Sequence, residues 1–286
     1  MCPRNQYPNG RYPNQRLLTK DTFSPREERA IREFMDEFGD ALDSPQRDLV
    51  EQVRSGNVDL SQLQSVRADV EAAFGRYTSD IMAVYEAGLE EGAQLGREIA
   101  ARRHQLDVTL DVVPDHTLEA LEEWAIESTN EVVATMSDEV SRVLRSAHQD
   151  GDSIEEIATM LNTEVFEGRL KGTKAEEVAQ TEMIASSNRG SHSAFQEADG
   201  VVAERWVSAM DGNQRDSHGA VHDQIVSVDS TFRLPGNIYM EYPGDKSAPV
   251  EEFVRCRCSI QPVFADSLTE TQLEAIMDGK RISLSE

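Results

Sequence analysis

The sequence predicts an α+β protein: a long-helix N-terminal region followed by a small mixed α+β module with short antiparallel strands. Three observations carry that expectation. From Ser24 to about Gly200 apolar residues recur three and four positions apart, the spacing of amphipathic helices. After Gly200 this period gives way to short extended runs, Ala203 to Ala209, Gln224 to Val228 and Arg255 to Pro262, separated by Gly, Pro, Asn and Asp. The span from Trp206 to Pro262 also gathers a tryptophan, histidines, two cysteines and many turn residues, the composition of a compact module with non-helical backbone.

The elements follow in order. Ser24-Pro25 with Glu27 and Glu28 is a helix start, and Ile31, Phe34, Met35, Phe38 and Leu42 continue it. Ser44-Pro45 opens a short helix through Leu49 and Val53. Leu60 to about Ala101 reads as one long helix with Val66, Val70, Phe74, Tyr77, Ile81, Val84, Leu89, Leu95 and Ile99 along its apolar side. Gly88, Gly92 and Gly96 fall on one stripe of it, either marking the close approach of another helix or placed there by chance. Asp115 is expected to cap a second long helix to about Ala147, with Leu118, Leu121, Ala125, Val132, Met136, Val140, Val143 and Leu144 inward. Ser153 to Glu156 and Thr173 to Glu176 both have the capping-box pattern; the first opens a short helix through Leu161, the second a helix ending near Gly200. A last helix is expected over Thr269 to Met277, stopped by Gly279. Trp124 and the methionines read as core or helix contacts, and His104, His116, His148 and His192 as surface residues.

Composition narrows the setting. The formal net charge is −25, from 53 acidic against 28 basic residues, and the lysines are only Lys20, Lys171, Lys174, Lys246 and Lys280. Such a surface suits a high-salt cytoplasm, where screening suppresses repulsion between carboxylates; a halophilic host is expected, with an ordinary acidic soluble protein as the alternative. An odd number of cysteines, Cys2, Cys256 and Cys258, argues against a disulfide framework and for a reduced, intracellular setting. No apolar run approaches membrane-spanning length, and the N-terminus lacks the apolar core of a signal peptide. Residues 1–23 form instead an extended, locally basic arm, with Arg4, Arg11, Arg16 and Lys20 around Tyr7 and Tyr12. The arm can touch DNA or an acidic partner, or remain a loose tail. The chain as a whole lacks the basic footprint of a DNA binder.

Residues from about Glu176 to Pro262 resemble the C-terminal domain of the phage Mu protein F family of minor head (head morphogenesis) proteins. The resemblance lies in four parts in order: Ala175-Glu-Glu-Val-Ala179-Gln-Thr181-Glu182 with Asn188 and Ala194; Trp206, then Asp211, Arg215 and His218; Phe232, a Pro-Gly and Tyr242-Pro-Gly; and Cys256-Arg257-Cys258 with Pro262. The chain departs from the family where Gln214 stands for its Thr before the Arg, and where Asp223 stands for its Gly after the histidine. The resemblance implies a virion protein: a portal-associated minor capsid component of a tailed virus, inside the capsid and made in the host cytoplasm. It implies a part in head morphogenesis, DNA packaging or DNA ejection. Its partners would be the portal protein, with the major capsid or scaffold protein also in reach and packaged DNA nearby, and no membrane. On this reading residues 1–23 are the arm, 24–172 a helical region, 173–265 the Mu F-like domain and 266–286 a C-terminal helix and tail.

Two chemistries are open at the module. His218, Cys256 and Cys258 have the donor types of a structural zinc site, with His222 in reach of His218 if that stretch is helical, and Asp211 able to add an oxygen. Cys256 and Cys258 would point to one side if they lie in a strand. Alternatively Trp206, Asp211, Arg215, His218, Cys256, Arg257 and Cys258 form a buried structural cluster that pins loops, with Arg215 and Arg257 pairing carboxylates such as Asp211. An enzyme is the competing class: a nuclease, or a toxin-adaptor module, using His218 and His222 as acid and base. Only one short helix is expected after Pro262, which sets the chain apart from a toxin fusion, and no catalytic residue is assigned.

Overall fold

The structure, a computed structural model, describes residues 24–60, 63–210 and 212–283. The arm with Cys2, Arg4, Arg11, Arg16 and Lys20, and Asp211, lie outside the described residues. The fold is α+β. The helices are α1 Pro25–Ala41, α2 Asp43–Arg54, α3 Leu63–Gly75, α4 Thr78–His104, α5 Asp115–Asp150 and α6 Ile154–Met160. A π-helical segment, Leu161–Lys174, then runs into α7, Ala175–Glu197. The module follows: β1 Val201–Val207, α8 Asp216–Gly219, β2 Gln224–Ser227, β3 Phe232–Leu234, β4 Ile238–Met240, α9 Val250–Phe253, β5 Ser259–Phe264, α10 Glu270–Met277 and β6 Ile282–Ser283. The described residues separate into two compact units, one of 30–92 with 113–186, the other of 24–29, 93–112 and 187–283.

The first unit is built from helices alone. Its core follows the predicted apolar positions: Ile31, Phe34, Phe38, Leu42, Leu49, Val66, Val70, Phe74, Ile81, Leu121, Val132, Met136, Val140 and Leu144 are buried, as is Trp124. Phe34 and Phe38 each meet the Tyr85 ring edge-on, with centroids 5.6 and 6.0 Å away. Three expectations are corrected here. The helix expected over Leu60 to Ala101 is two, α3 and α4, broken after Gly75. Tyr77 N there donates to Phe74 O at 2.9 Å, and the Tyr77 hydroxyl donates to Asp48 Oδ2 at 2.5 Å. Asp115 is the first residue of α5, and Pro114 holds the N-cap position without a side-chain cap. The capping pattern at Thr173 starts no helix: the chain is already helical, and Thr173 Oγ1 donates back to Arg169 O. The stretch before it is wound with i→i+5 bonding, which fits its buried residues Leu161, Val165, Phe166 and Leu170, spaced four to five apart rather than three to four. The other capping box, Ser153 with Glu156, forms as predicted.

The glycine stripe marks close approach. A Cβ on Gly88 would lie 2.0 Å from Phe34 Cδ2, and one on Gly92 2.0 Å from Ser186 Oγ. In the second unit a Cβ on Gly96 would lie 1.8 Å from Ser187 O, and one on Gly190 1.9 Å from Ala93 O. The paired segments of α4 and α7 therefore touch backbone to backbone, which only a residue without a side chain allows.

The second unit carries the sheet, in the order β5-β1-β2-β6 with every neighbour antiparallel. The central strand β1 sends alternate residues to opposite faces. Trp206 enters a core with Phe195, Val226, Phe232, Met240, Tyr242 and Ile260. Ala203 enters the smaller one with Ile225, Val263 and Ile276 of α10. α10 is capped by Thr269 and Gln272 and followed by Gly279 at φ +74°. The hairpin β3–β4 pairs Leu234 with Ile238, turning through Gly236 and Asn237 at φ +83° and +61°, residue types that tolerate the left-handed region. This hairpin and β6 have too few residues to leave a periodic trace in the sequence.

Candidate functional site

The site begins where β1 ends. Trp206 is fully buried, and its carbonyl accepts from Asp223 N at 2.9 Å. Asp223 itself sits at φ +63°, so the residue standing for the family glycine occupies a position that favours glycine. Between them, Ser208 Oγ donates to His218 O at 2.5 Å, which seats the single turn α8 under the tryptophan. From the other side, Cys256 N closes a turn onto Phe253 O at 3.0 Å. Arg255 in that turn has φ +52°, and Cys256 and Cys258 follow just ahead of β5. Cys256 thus closes the turn and Cys258 lies in the irregular stretch after it, so neither is, as expected, in a strand.

Three side chains converge there. His218 Nδ1 lies 3.3 Å from Cys258 Sγ and 3.6 Å from Cys256 Sγ. All three are buried. On the far side of the ring, His218 Nε2 lies 3.1 Å from Glu252 Oε2, within ion-pair range but without hydrogen-bond alignment. Ser217 Oγ donates to the same carboxylate oxygen at 2.7 Å. The ring meets the edge of Trp206 with centroids 5.3 Å apart. A small cavity borders His218 and Cys258 and is lined also by Arg215, Arg255 and Arg257.

These contacts set the charges. The Cys256 thiol donating to its neighbour, and then the His218 imidazolium, hold the Cys258 thiol down at about 4. Cys256 is pushed well up by that same neighbour and by burial. Burial works against a charge on His218, but the Cys258 thiolate and the Glu252 carboxylate outweigh it and raise the imidazole. Glu252 is lowered by His218. Two members are thus pushed toward the anion, Cys258 and Glu252, and one toward the cation, His218.

Around it runs a net of buried polar groups anchored on α7. Asn188 Nδ2 donates to Pro243 O and to Cys258 O, both at 2.9 Å. Arg189 donates to the Tyr242 hydroxyl at 2.8 Å. Asp245 accepts from Glu241 N and Ser247 N at 2.8 and 2.9 Å and so shapes the turn after Tyr242-Pro-Gly. His192 Nδ1 lies 2.8 Å from Glu204 Oε1, and the carboxylate has no exposed surface. Arg97 is likewise fully buried; it grips both carboxylate oxygens of Glu197 and donates to Ser193 Oγ and Thr109 O.

The expected site residues are placed unevenly. Trp206, His218, Cys256 and Cys258 are brought together. Arg215 is adjacent, but its guanidinium donates to Val254 O, and Arg257 lines the cavity. The expected partner Asp211 lies outside the described residues. His222 shares no helical face with His218, because α8 ends at Gly219; its Nδ1 accepts from Ser208 N at 3.1 Å instead. His192 is corrected from surface to buried. Its sequence neighbours are polar, and the Glu that covers it is twelve residues away, so local pattern conceals the pair. The burial of Arg97 is hidden from the sequence for the same reason. Asn188, in contrast, is visible through the resemblance.

Residues 138–261 match the family described as Phage Mu protein F like protein. The C-terminal region of this chain is similar to that family over those residues. The match begins within α5, earlier than the resemblance from Glu176 indicates, and ends within β5. Among curated proteins the chain is similar to the uncharacterized protein YqbB of Bacillus subtilis (strain 168), 24% identical over 161 residues. That similarity covers 55% of this chain and 52% of YqbB, so the chain spans about half the length of this curated relative. No solved structure matches it. The Mu F-like assignment points to phage head morphogenesis, in a family that is generally structural. Among the described residues no helix is long and apolar enough to cross a membrane.

Proposed function

We propose that this protein is a minor head protein of a tailed virus with a halophilic host, held inside the capsid beside the portal and acting in head assembly and in DNA packaging or ejection. The observation that carries the reading is the Mu F-like match over residues 138–261. The site supports a structural role over a catalytic one. His218 is 1% exposed and enclosed by two thiols, a carboxylate and an indole, so it does not face a substrate. His222, the other half of the nuclease alternative, is engaged by a backbone amide. The net charge of −25 supports a protein that shares a DNA-filled shell without gripping its contents. It also supports the high-salt host. Arg4, Arg11 and Arg16 are the residues proposed to reach the portal or the DNA, with the major capsid or scaffold protein as further partners.

Mass spectrometry of purified virions tests this directly. The protein is expected at low copy number, retained with the portal when heads are dissociated, and released by deletion of residues 1–20. Absence from virions while the major capsid protein is present overturns the reading. A metal-dependent nuclease activity abolished by His218→Ala would replace it with the enzymatic one.

A further inference from the structure

We propose that His218, Cys256 and Cys258 form a zinc site, with Glu252 holding the histidine from behind. One donor atom from each of the three lies within 4.8 Å of the others, and each side chain is 3% exposed or less. Two sulfurs and one imidazole nitrogen are the soft-to-borderline donors that zinc takes in tetrahedral sites. The orientation of the ring is the more telling feature. Nδ1 is turned to both sulfurs, while Nε2 is turned to Glu252 Oε2 at 3.1 Å. A ligating histidine backed by a carboxylate on its other nitrogen is the usual arrangement at zinc, because the carboxylate fixes the ring and makes the ligating nitrogen more basic. Ser217 Oγ, at 2.7 Å from the same oxygen, fixes the carboxylate in turn. A small cavity borders His218 and Cys258.

The metal takes two thiolates and a neutral imidazole, and the protons it displaces pass to solvent. The ion then joins the turn before β5 to α8, two segments near forty residues apart in sequence. The inference does not rest on the head-protein reading: loading is read on purified protein, head incorporation on virions.

The experiment uses the full chain carrying Cys2→Ser, stripped with a chelator and dialysed. Zinc is expected to bind at one ion per chain. Cobalt in its place should give the visible bands of a tetrahedral site together with thiolate-to-metal charge transfer in the near ultraviolet. Glu252→Gln should keep those bands and weaken zinc binding about 10- to 100-fold, a change that a purely structural Glu252 would not produce. Cys258→Ser should lose the charge-transfer intensity from one thiolate. Failure of the Cys2→Ser protein to take up zinc, or a cobalt spectrum without thiolate bands, overturns the proposal. Both readouts are made on the protein with its cluster intact, so poor folding of a cluster variant leaves the test decisive.

Discussion

The two compact units solve the same problem by different means. The helical unit buries aliphatic and aromatic side chains at regular spacing; the polar residues it buries are mostly hydroxyls, such as Thr117, Ser137 and Ser141, and ion pairs such as Arg54 with Glu155 and Arg67 with Asp138 lie on the outside. The module has short strands and single-turn helices, and beside its apolar core it buries charged and amide groups that tie loops together: Asn188, His192, Glu204, Arg97 and the His218 cluster. Hydrophobic burial is tolerant of detail, whereas a buried polar net penalises every lost partner. Each unit therefore withstands a different kind of substitution.

Each unit has its own tryptophan, Trp124 in the helical one and Trp206 in the module, so fluorescence of Trp124→Phe and Trp206→Phe variants follows them separately. The largest effects should come from the apolar anchors, where the units behave alike. Trp206→Ala and Phe38→Ala should each cost about 4 kcal/mol in denaturant unfolding, with the loss at Trp206 exposing Cys256 and Cys258 to alkylation. Next comes backbone contact. Gly190→Val should cost about 3 kcal/mol, at the upper end of overpacking, because backbone rather than a flexible side chain stands in the way. The units part most clearly at buried amides: Asn188→Ala should cost about 2 kcal/mol by orphaning two carbonyls. A surface ion-pair deletion in the helical unit, Arg54→Ala, should fall below about 1 kcal/mol. Equal costs for these two would erase the distinction between the units.

A smaller effect should depend on pH. Burial alone would lower His192, but Glu204 outweighs it and raises it above 6.5; Glu204 is itself raised above 4.5 by burial. This pair then holds more protons folded than unfolded, so its own contribution to stability falls as pH rises, opposite in sign to that of the lowered Cys258 and Glu252. The contribution is complete below each unfolded value and is lost as pH climbs through the raised folded ones. The difference in urea-unfolding stability between the wild type and Glu204→Gln isolates the pair and should decline as pH rises across this range. The smallest effect runs the other way. Asp223→Gly should stabilise by roughly 0.5 kcal/mol, since glycine takes φ +63° without strain, partly offset by losing the Arg205 contact at 3.6 Å.

What could be read from the sequence follows the same division. In the helical unit Phe34, Val70, Leu121 and Leu144 announce their burial through spacing, because one helix turn repeats often enough to be recognised. The π winding escaped because Leu161, Val165, Phe166 and Leu170 follow a different period, and the break after Gly75 because apolar residues continue across it. In the module the resemblance picked out Asn188, Trp206, His218, Cys256 and Cys258 in advance. It carried no information on Arg97, nor on Glu204, whose charge in a strand reads as solvent-facing. Their partners are chosen by the fold and lie too far along the chain for any local pattern to reveal.

Asn188 also imposes a schedule. It leaves the ribosome long before the two carbonyls it must bind, those of Pro243 and Cys258. Contacts over such separations form late, after the loops between them have closed. Until translation has passed Cys258, α7 presents an unpaired amide and an unfilled seat for the module. A chain cut short between Glu197 and Cys258 would retain α1 to α7 and lack the latch.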